Sequence, residues 1–297
     1  MDRSAFSKDA HAAGAQARDA RRPVPHAVPS APGKPAANPD DLVSRALAIL
    51  AEGNRASDET QSADLPLQRR VLSDGTQCPL PLRYFNAQFL VATFLTDLNR
   101  AAELLNSTGL HVVPQEDGKA VAVLYCIEYR VTDLGPYKEV GLTIVATAPG
   151  DPIPANYVAN LPVTTALARL VGREVWGYNK FLAAIDVQKD GKKFSTTVCD
   201  LENATICALD GSRGASVPSP PTDIFTFSLL KGRIIKTLFH VLTPFQASSG
   251  EGFVFKIGTS RHPMANNLRT LALDGARPAL VQYADPFQAL AFPGQSV

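Results

Sequence analysis

The sequence between residues 183 and 201 constrains the fold most, because two strand-like runs meet there at one tight turn. The runs are AAIDVQ and KFSTTVCDL, and KDGK at residues 189–192 separates them. Asp190-Gly191 can supply the positive φ angles that a two-residue hairpin turn requires. The segment therefore predicts an antiparallel β-hairpin.

Similar runs, rich in β-branched and aromatic residues, fill most of the sequence after residue 71. They are LRYFNAQFLVATFLTD, VAVLYCIEYRV, VGLTIVATA, ATICALDG, FTFSLL, RIIKTLFHVL, GFVFKIGT and ALVQYADPFQALAF. LNRAAELLN predicts a short helix, and LPVTTALARLVG a second one that starts near Thr164 or Thr165 and ends near Gly172. The pattern gives nine to eleven strands and three helices without βαβ alternation. It predicts an α+β fold, a mostly antiparallel curled sheet or β-barrel-like cone with a central cavity and a few flanking helices.

The first 70 residues differ from the remainder in composition. Residues 1–40 are rich in Ala, Pro and Arg and almost free of bulky apolar side chains, so we predict a disordered arm. Residues 41–70 predict an amphipathic helix, with Asp40 or Asp41 as N-cap and Gly53 as terminator, and then a polar linker. Residues 71–297 are predicted to form the folded domain.

Charge and cysteine content limit the possible partners. Lys and Arg total 29 against 28 for Asp and Glu. The sequence therefore lacks the basic excess that is typical of a nucleic-acid-binding protein. The expected partner is a small molecule or another copy of the chain. The four cysteines are scattered, so reduced strand cysteines are favoured over a Cys199–Cys207 disulfide. A signal peptide and a long apolar run are lacking, which predicts a cytoplasmic protein without membrane contact.

The sequence offers no motif typical of a cofactor or metal site. Walker, GxGxxG, HExxH and GxSxG patterns do not occur. His111, His240 and His262 lie far apart along the chain. We therefore predict neither a cofactor nor a metal.

The stretch GREVWGYNKF, residues 172–181, places Lys180 directly before the apolar run FLAAI. Strand alternation would put Lys180 on the same side as Leu182 and Ala184, which is the apolar or cavity side. The alternative is a lysine at the sheet rim whose stem is packed and whose ammonium is hydrated.

GREVWGYNK is similar to the signature of the acetoacetate decarboxylase family, in which a GRE element precedes the lysine that forms a Schiff base. YKEVGLTIVA resembles the family segment with an active-site glutamate, here Glu139, and ALVQYADPFQALAFPG resembles its closing strand. The resemblance covers roughly residues 80–295. It implies a barrel-like fold in a homo-oligomer, with Lys180 and Glu139 as catalytic residues. The substrate-binding or pocket residues that it suggests are Arg83, Arg173, Glu174, Tyr178 and Phe181.

Schiff-base chemistry would explain why a lysine has apolar neighbours. Only a neutral amine attacks a carbonyl carbon, and desolvation lowers the pKa of a lysine by up to ~3–5 units. Acetoacetate decarboxylase is itself a known example of a lysine activated in this way.

The sequence departs from the family pattern at three positions. Phe181 stands where decarboxylases carry a second lysine, and Leu124 stands where they carry a second glutamate, with Glu128 four residues further on. Arg83 matches the carboxylate-binding arginine only across a gap. Three functions therefore stay open: decarboxylation of a small β-keto acid, an aldolase or dehydratase reaction through the same imine, and a non-catalytic ligand-binding barrel.

Overall fold

The computed structural model describes residues 68–297. The predicted arm, the predicted helix and most of the linker lie outside the described residues. Strand β1 (Gln68–Val71) pairs antiparallel with β2 (Gln77–Leu80). Strand structure thus extends a few residues into the segment that was predicted to be a linker.

The described part contains eighteen strands, more than the nine to eleven that the sequence predicts. Strands of two to four residues are too short to display a period-two pattern, so sequence analysis misses them. After β2 the strands are β3 (Leu82–Asp97), β4 (His111–Val112), β5 (Lys119–Thr132), β6 (Tyr137–Ala148), β7 (Asp151–Val163), β8 (Lys180–Leu182), β9 (Ala184–Asp190), β10 (Lys193–Cys199), β11 (Thr205–Ser212), β12 (Val217–Ser219), β13 (Ile224–Leu230), β14 (Arg233–Val241), β15 (Phe245–Ser249), β16 (Phe253–Ile257), β17 (Leu280–Ala291) and β18 (Gln295–Ser296). The α-helices are α1 (Leu98–Glu103), α2 (Ala166–Val175) and α3 (Pro263–Thr270).

Seven strands close into a barrel in the order β17-β3-β5-β6-β7-β13-β14, and β14 pairs back with β17. The β7–β13 pairing and the β7–β8 pairing are parallel. The other pairs around the barrel are antiparallel. This architecture confirms the predicted curled, mostly antiparallel sheet with few helices.

A second sheet, in the order β16-β11-β10-β9, lies outside the barrel. Its β9–β10 hairpin pairs Asp190 with Lys193 around the predicted turn. Outward-facing side chains of β3, β5 and β6 share one core with this sheet and with α3; examples are Leu90, Leu124, Leu142, Phe194, Phe255 and Leu268. The strands of the barrel are therefore apolar on both faces.

The cysteines and the helices of the described residues bear on two further expectations. Cys78, Cys126, Cys199 and Cys207 are all free thiols, as favoured over a disulfide. None of the helices within residues 68–297 has the length and hydropathy needed to cross a bilayer.

Helix α2 begins as predicted, near Thr165, but ends later than predicted. Residues 161–163 belong to β7, and Thr165 is the N-cap, accepting a hydrogen bond from the Ala168 amide. The helix continues past Gly172 to Val175. Gly172 is therefore not a terminator, and the reason for a glycine inside this helix lies in the site that follows it.

Candidate active site

The chain reverses direction between α2 and β8, and this turn delivers Lys180 to the barrel. Gly177 adopts a φ of 75°, which favours glycine. The Tyr178 amide donates to the Gly172 carbonyl at 3.0 Å. The buried Trp176 donates its indole N–H to the Phe292 carbonyl at 2.8 Å. The aromatic residues before Lys180 therefore fix its backbone to the barrel.

Lys180 forms a buried ion pair with Glu139. Its Nζ lies 2.6 Å from Glu139 Oε2, and the two side chains are only 5% and 6% exposed. Lys180 begins β8, opposite Leu161 of β7, while Glu139 on β6 lies opposite Val163 of the same strand. The ammonium is therefore not at a hydrated rim, and an ionisable amine lies next to a carboxylate in a largely dehydrated environment.

Gly172 makes room for the stem of the lysine. A Cβ at position 172 would overlap Cδ and Cε of Lys180 and would lie 3.1 Å from its Nζ. Glycine within a helix costs roughly 1 kcal/mol relative to alanine. A glycine is nevertheless needed at position 172, because the side chain of Lys180 passes α2 at this residue, the only one in the helix without a Cβ.

Three buried tyrosines, Tyr84, Tyr129 and Tyr137, and the partly buried Tyr125 lie around the ion pair. The Tyr84 and Tyr129 ring centroids are 4.8 Å apart, those of Tyr129 and Tyr137 are 4.4 Å apart, and Lys180 Nζ is 5.7 Å from the Tyr137 centroid. Burial, followed by the nearby Glu139 carboxylate, raises the pKa of Tyr84, Tyr125 and Tyr129 well above the usual range. These tyrosines therefore stay neutral and can only donate or accept hydrogen bonds.

Sequence analysis did not identify this tyrosine cluster. A weak signal exists, since Tyr125 and Tyr129 are four residues apart on one strand and so share a face. The Tyr129 hydroxyl donates to Glu139 Oε1 at 3.5 Å. Within the described residues, the buried Tyr137 hydroxyl has no hydrogen-bond partner.

A cavity of about 120 Å³ occupies the inside of the barrel. Glu139 lines it, and Lys180 lies directly behind Glu139. Polar groups on the wall include Tyr125, Tyr129, Thr143, Asn156, Thr226 and Gln282. The apolar wall consists of Phe89, Val91, Val123, Ile127, Ile224, Phe239, Phe245 and Phe287. A cavity of this volume holds several water molecules and hence a small organic molecule.

Tyr178 and Phe181, which the resemblance suggested as pocket residues, point in different directions: Tyr178 toward the cavity wall and Phe181 toward the outer core. Tyr178 is buried, its hydroxyl is 2.7 Å from Thr226 Oγ1 on the cavity wall, and burial raises its pKa. Phe181 faces the outer core and stacks on His262 with ring centroids 4.0 Å apart. The position at which decarboxylases have a second lysine thus points away from the pair.

The structure does not bring Arg83, Arg173 or Glu174 to the pair. Arg83 is largely exposed, and its guanidinium binds Asp133. Glu174 accepts hydrogen bonds from the Ser73 amide and hydroxyl, which lower its pKa. Arg173 is exposed at the end of α2. None of these three side chains lines the cavity.

The alternatives for the second glutamate also point outward. Leu124 is buried in the outer core, and half-exposed Glu128 lies 3.9 Å from Lys138. No group of three or more His, Cys, Asp or Glu side chains among residues 68–297 could hold a metal ion.

Comparison with known proteins agrees with this architecture. The family model described as acetoacetate decarboxylase matches residues 65–236, which is more than half of the sequence. A search of curated proteins finds no significant match.

Several solved structures have a similar fold. Acetoacetate decarboxylase from Legionella pneumophila subsp. pneumophila str. Philadelphia 1 has a TM-score of 0.57 and 15% identity, covering 82% of this chain and 95% of that chain. The enduracididine biosynthesis enzyme MppR, complexed with the condensation product of pyruvate and imidazole 4-carboxaldehyde, has a TM-score of 0.56 and 14% identity, covering 79% and 98%. An acetoacetate decarboxylase-like enzyme from Sphingomonas wittichii RW1 has a TM-score of 0.53 and 15% identity, covering 73% and 92%. At these identities the similarity concerns the fold alone.

Proposed function

The chain belongs to the acetoacetate decarboxylase family of enzymes, whose model matches residues 65–236, and on this premise we propose a carbon–carbon lyase that works through an imine at Lys180. Lys180 is the nucleophile and Glu139 carries its proton. The observation that supports this assignment is the buried 2.6 Å contact between Nζ and Oε2 at the cavity wall. It places an amine and a base within one hydrogen bond of each other.

The pair offers a direct route to the neutral amine that attack requires. When one proton moves from Lys180 Nζ to Glu139 Oε2, the ion pair becomes an amine and a carboxylic acid. The amine then attacks the carbonyl carbon, and Glu139 returns the proton to the oxygen that leaves as water.

The resulting iminium carries the same positive charge as the ammonium that it replaces. Glu139 is a carboxylate again, so the opposite charges remain adjacent. The iminium withdraws the electron pair of the bond between the α carbon and the departing carbon, which leaves as carbon dioxide from a β-keto acid or as an aldehyde from an aldol. An enamine forms in place of a free carbanion. Protonation of the enamine carbon and hydrolysis of the imine then regenerate Lys180.

Two reactions can follow from this iminium. The family resemblance favours decarboxylation of a small β-keto acid. Aldolase or dehydratase chemistry through the same imine is the second candidate, and it is supported by Phe181, which stands where decarboxylases have a second lysine. MppR, which shares the fold, is known in complex with pyruvate, and a small carbonyl substrate is consistent with the cavity volume.

Reductive trapping tests the imine. The protein is incubated with acetoacetate, methyl acetoacetate or pyruvate and cyanoborohydride, and adducts are mapped by mass spectrometry. We expect modification at Lys180 and none in Lys180→Met, whereas Lys138→Met, which removes a half-exposed lysine, should still be modified at position 180. Absence of an adduct at Lys180 with every carbonyl compound would contradict the proposal and favour a ligand-binding barrel.

A homo-oligomer is the assembly that the family resemblance favours. Phe85, Val131 and Leu242 are exposed apolar side chains of 45%, 52% and 49% relative accessibility, and exposed apolar groups are typical of contact surfaces. Sedimentation velocity of the full chain tests this expectation, and a monomer at micromolar concentration would contradict it.

A further inference from the structure

The charged side chains that line the cavity, within residues 68–297, are two carboxylates. Glu139 lies at the buried end, where Lys180 already neutralises it. Asp223 is partly exposed, accepts the Val241 amide at 3.1 Å and contacts His240 Nδ1 at 2.9 Å. A ligand in this cavity therefore meets two acidic side chains, and the Lys180 ammonium nearby already pairs with Glu139.

We propose that the cavity selects uncharged carbonyl compounds over keto-acid anions, and that Glu139 and Asp223 set this preference. This inference rests on the imine mechanism proposed above. A ligand carboxylate would lie beside like charges and would lose its hydration without gaining a cation. An uncharged ligand of the same shape avoids both penalties.

Arg83 and Arg173, which the resemblance suggested as pocket residues, add no positive charge to the cavity wall. The Arg83 guanidinium binds Asp133 through Nε and Nη2, at distances of 2.8 to 3.2 Å. Arg173 is exposed at the end of α2. Neither side chain lines the cavity, so neither provides the bidentate contact by which arginine recognises a carboxylate.

The cavity wall fits an uncharged compound with a carbonyl and a hydroxyl group. Aromatic and aliphatic side chains form the apolar wall described above. Thr143 donates to Asn156 Oδ1 at 3.1 Å, and Thr226 lies 2.7 Å from the Tyr178 hydroxyl. These neutral groups can share hydrogen bonds with a ligand oxygen without adding charge.

An uncharged β-hydroxy ketone gives a balanced reaction in this site. Lys180 Nζ attacks the ketone carbon, and water leaves as the iminium forms. The Glu139 carboxylate takes the hydroxyl proton, the carbon–carbon electron pair moves into an enamine, and an aldehyde departs. Glu139 then protonates the enamine carbon, and water releases the product ketone. The substrate class is therefore a small β-hydroxy ketone, cleaved to a ketone and an aldehyde.

Matched ligand pairs test this preference. Acetoacetate and methyl acetoacetate, and pyruvate and methyl pyruvate, differ mainly in charge. We expect the esters to label Lys180, in the presence of cyanoborohydride, at a half-saturating concentration at least about tenfold lower than the acids. We also expect 4-hydroxy-2-pentanone to yield acetone and acetaldehyde. Equal or tighter labelling by the acids would overturn the preference but leave the imine intact, whereas no labelling by any ligand would overturn both.

Substitutions in the cavity wall provide a second test, which compares the order of labelling by acid and ester within each variant and does not depend on absolute rates. Gln282 lines the cavity and faces Val91 across the strand pair. Gln282→Lys should shift the order of labelling toward acetoacetate, while the length-matched Gln282→Met should keep the wild-type order. If Gln282→Lys does not fold, Asp223→Asn provides the second measurement, and it should reduce the discrimination between ester and acid. Unchanged order in each folded charge variant would contradict the proposed role of cavity charge.

Discussion

Gly172 and Lys180 are in direct contact: the stem of the lysine occupies the space that a Cβ at position 172 would need. The GRE element and the lysine are therefore two halves of one packing arrangement. The glycine lets the lysine pass across α2 to reach Glu139. This contact explains why the helix contains a glycine two turns after its start.

Gly172→Ala should reduce imine formation more than it reduces folding. Overpacking costs about 1–3 kcal/mol, part of which the better helix propensity of alanine offsets. Displacement of Nζ by roughly 1 Å should slow trapping at Lys180 by up to about 100-fold. The rate is measured by mass spectrometry well below the unfolding temperature. Gly214→Ala is the control, because nothing lies within 4 Å of a Cβ there, and equal rates in the two variants would contradict the prediction.

Glu139 and Lys180 should be strongly coupled in stability. Lys180→Met or Glu139→Gln leaves one buried polar group without its partner, which costs about 3–5 kcal/mol. The double variant removes both charges and should recover much of that loss. Urea unfolding of the four proteins gives the coupling energy.

The half-exposed pair Glu128–Lys138, at 3.9 Å, provides a control for this cycle. Its coupling should stay below about 1 kcal/mol, as for other solvated pairs. Additive effects at Glu139 and Lys180 would show that the two groups do not interact in solution.

Phe181→Lys should not create a more reactive site. Position 181 faces the outer core and contacts His262 rather than the lysine pair. A lysine there loses aromatic packing and places an ammonium in apolar surroundings, so the melting temperature should fall. Trapping at Lys180 is measured beside Phe181→Leu, which keeps an apolar side chain. Faster trapping in Phe181→Lys than in Phe181→Leu would refute this interpretation of the position.

Asp285 should make the protein sensitive to acid. Its carboxylate receives hydrogen bonds from Arg130, Lys189 and Tyr283, at 2.8 to 3.3 Å, and hydrogen bonding from Arg130 is the main cause of its lowered pKa. Since the folded pKa lies below the unfolded one, the stabilisation is complete above the ordinary carboxyl range. It is lost as pH falls through that range toward the folded pKa.

The melting temperature between about pH 5 and pH 2 tests this sign. Asp285→Asn should be less stable than the wild type at neutral pH, and the difference should shrink as the pH falls. Asp210→Asn, on an exposed position of β11, serves as the control. A difference that grows toward acid pH would contradict the argument.

Much of the fold could be predicted from local patterns. Period-two runs identified the long strands, and Asp190-Gly191 identified the β9–β10 hairpin. Strands such as β8, with three residues, escaped because their pairing depends on distant partners. The end of α2 was misplaced because a glycine inside a helix resembles a terminator when its packing partner is unknown.

The candidate site was predictable only in part. The family resemblance pointed to Lys180 and Glu139, which the structure brings within 2.6 Å of each other. The tyrosine cluster depends on which strand faces meet inside the barrel, and a single sequence does not contain that register. The same reason applies to Arg83, whose partner Asp133 lies fifty positions away in the chain.

Trp176 gives the protein an intrinsic optical reporter. It is the sole tryptophan of the sequence, it is almost fully shielded, and its ring stacks on Tyr178 at 5.8 Å. All indole fluorescence therefore originates four residues from the amine of Lys180. A shift in emission on titration with a carbonyl compound would follow occupancy in real time, without a dye, a tag or a coupled assay.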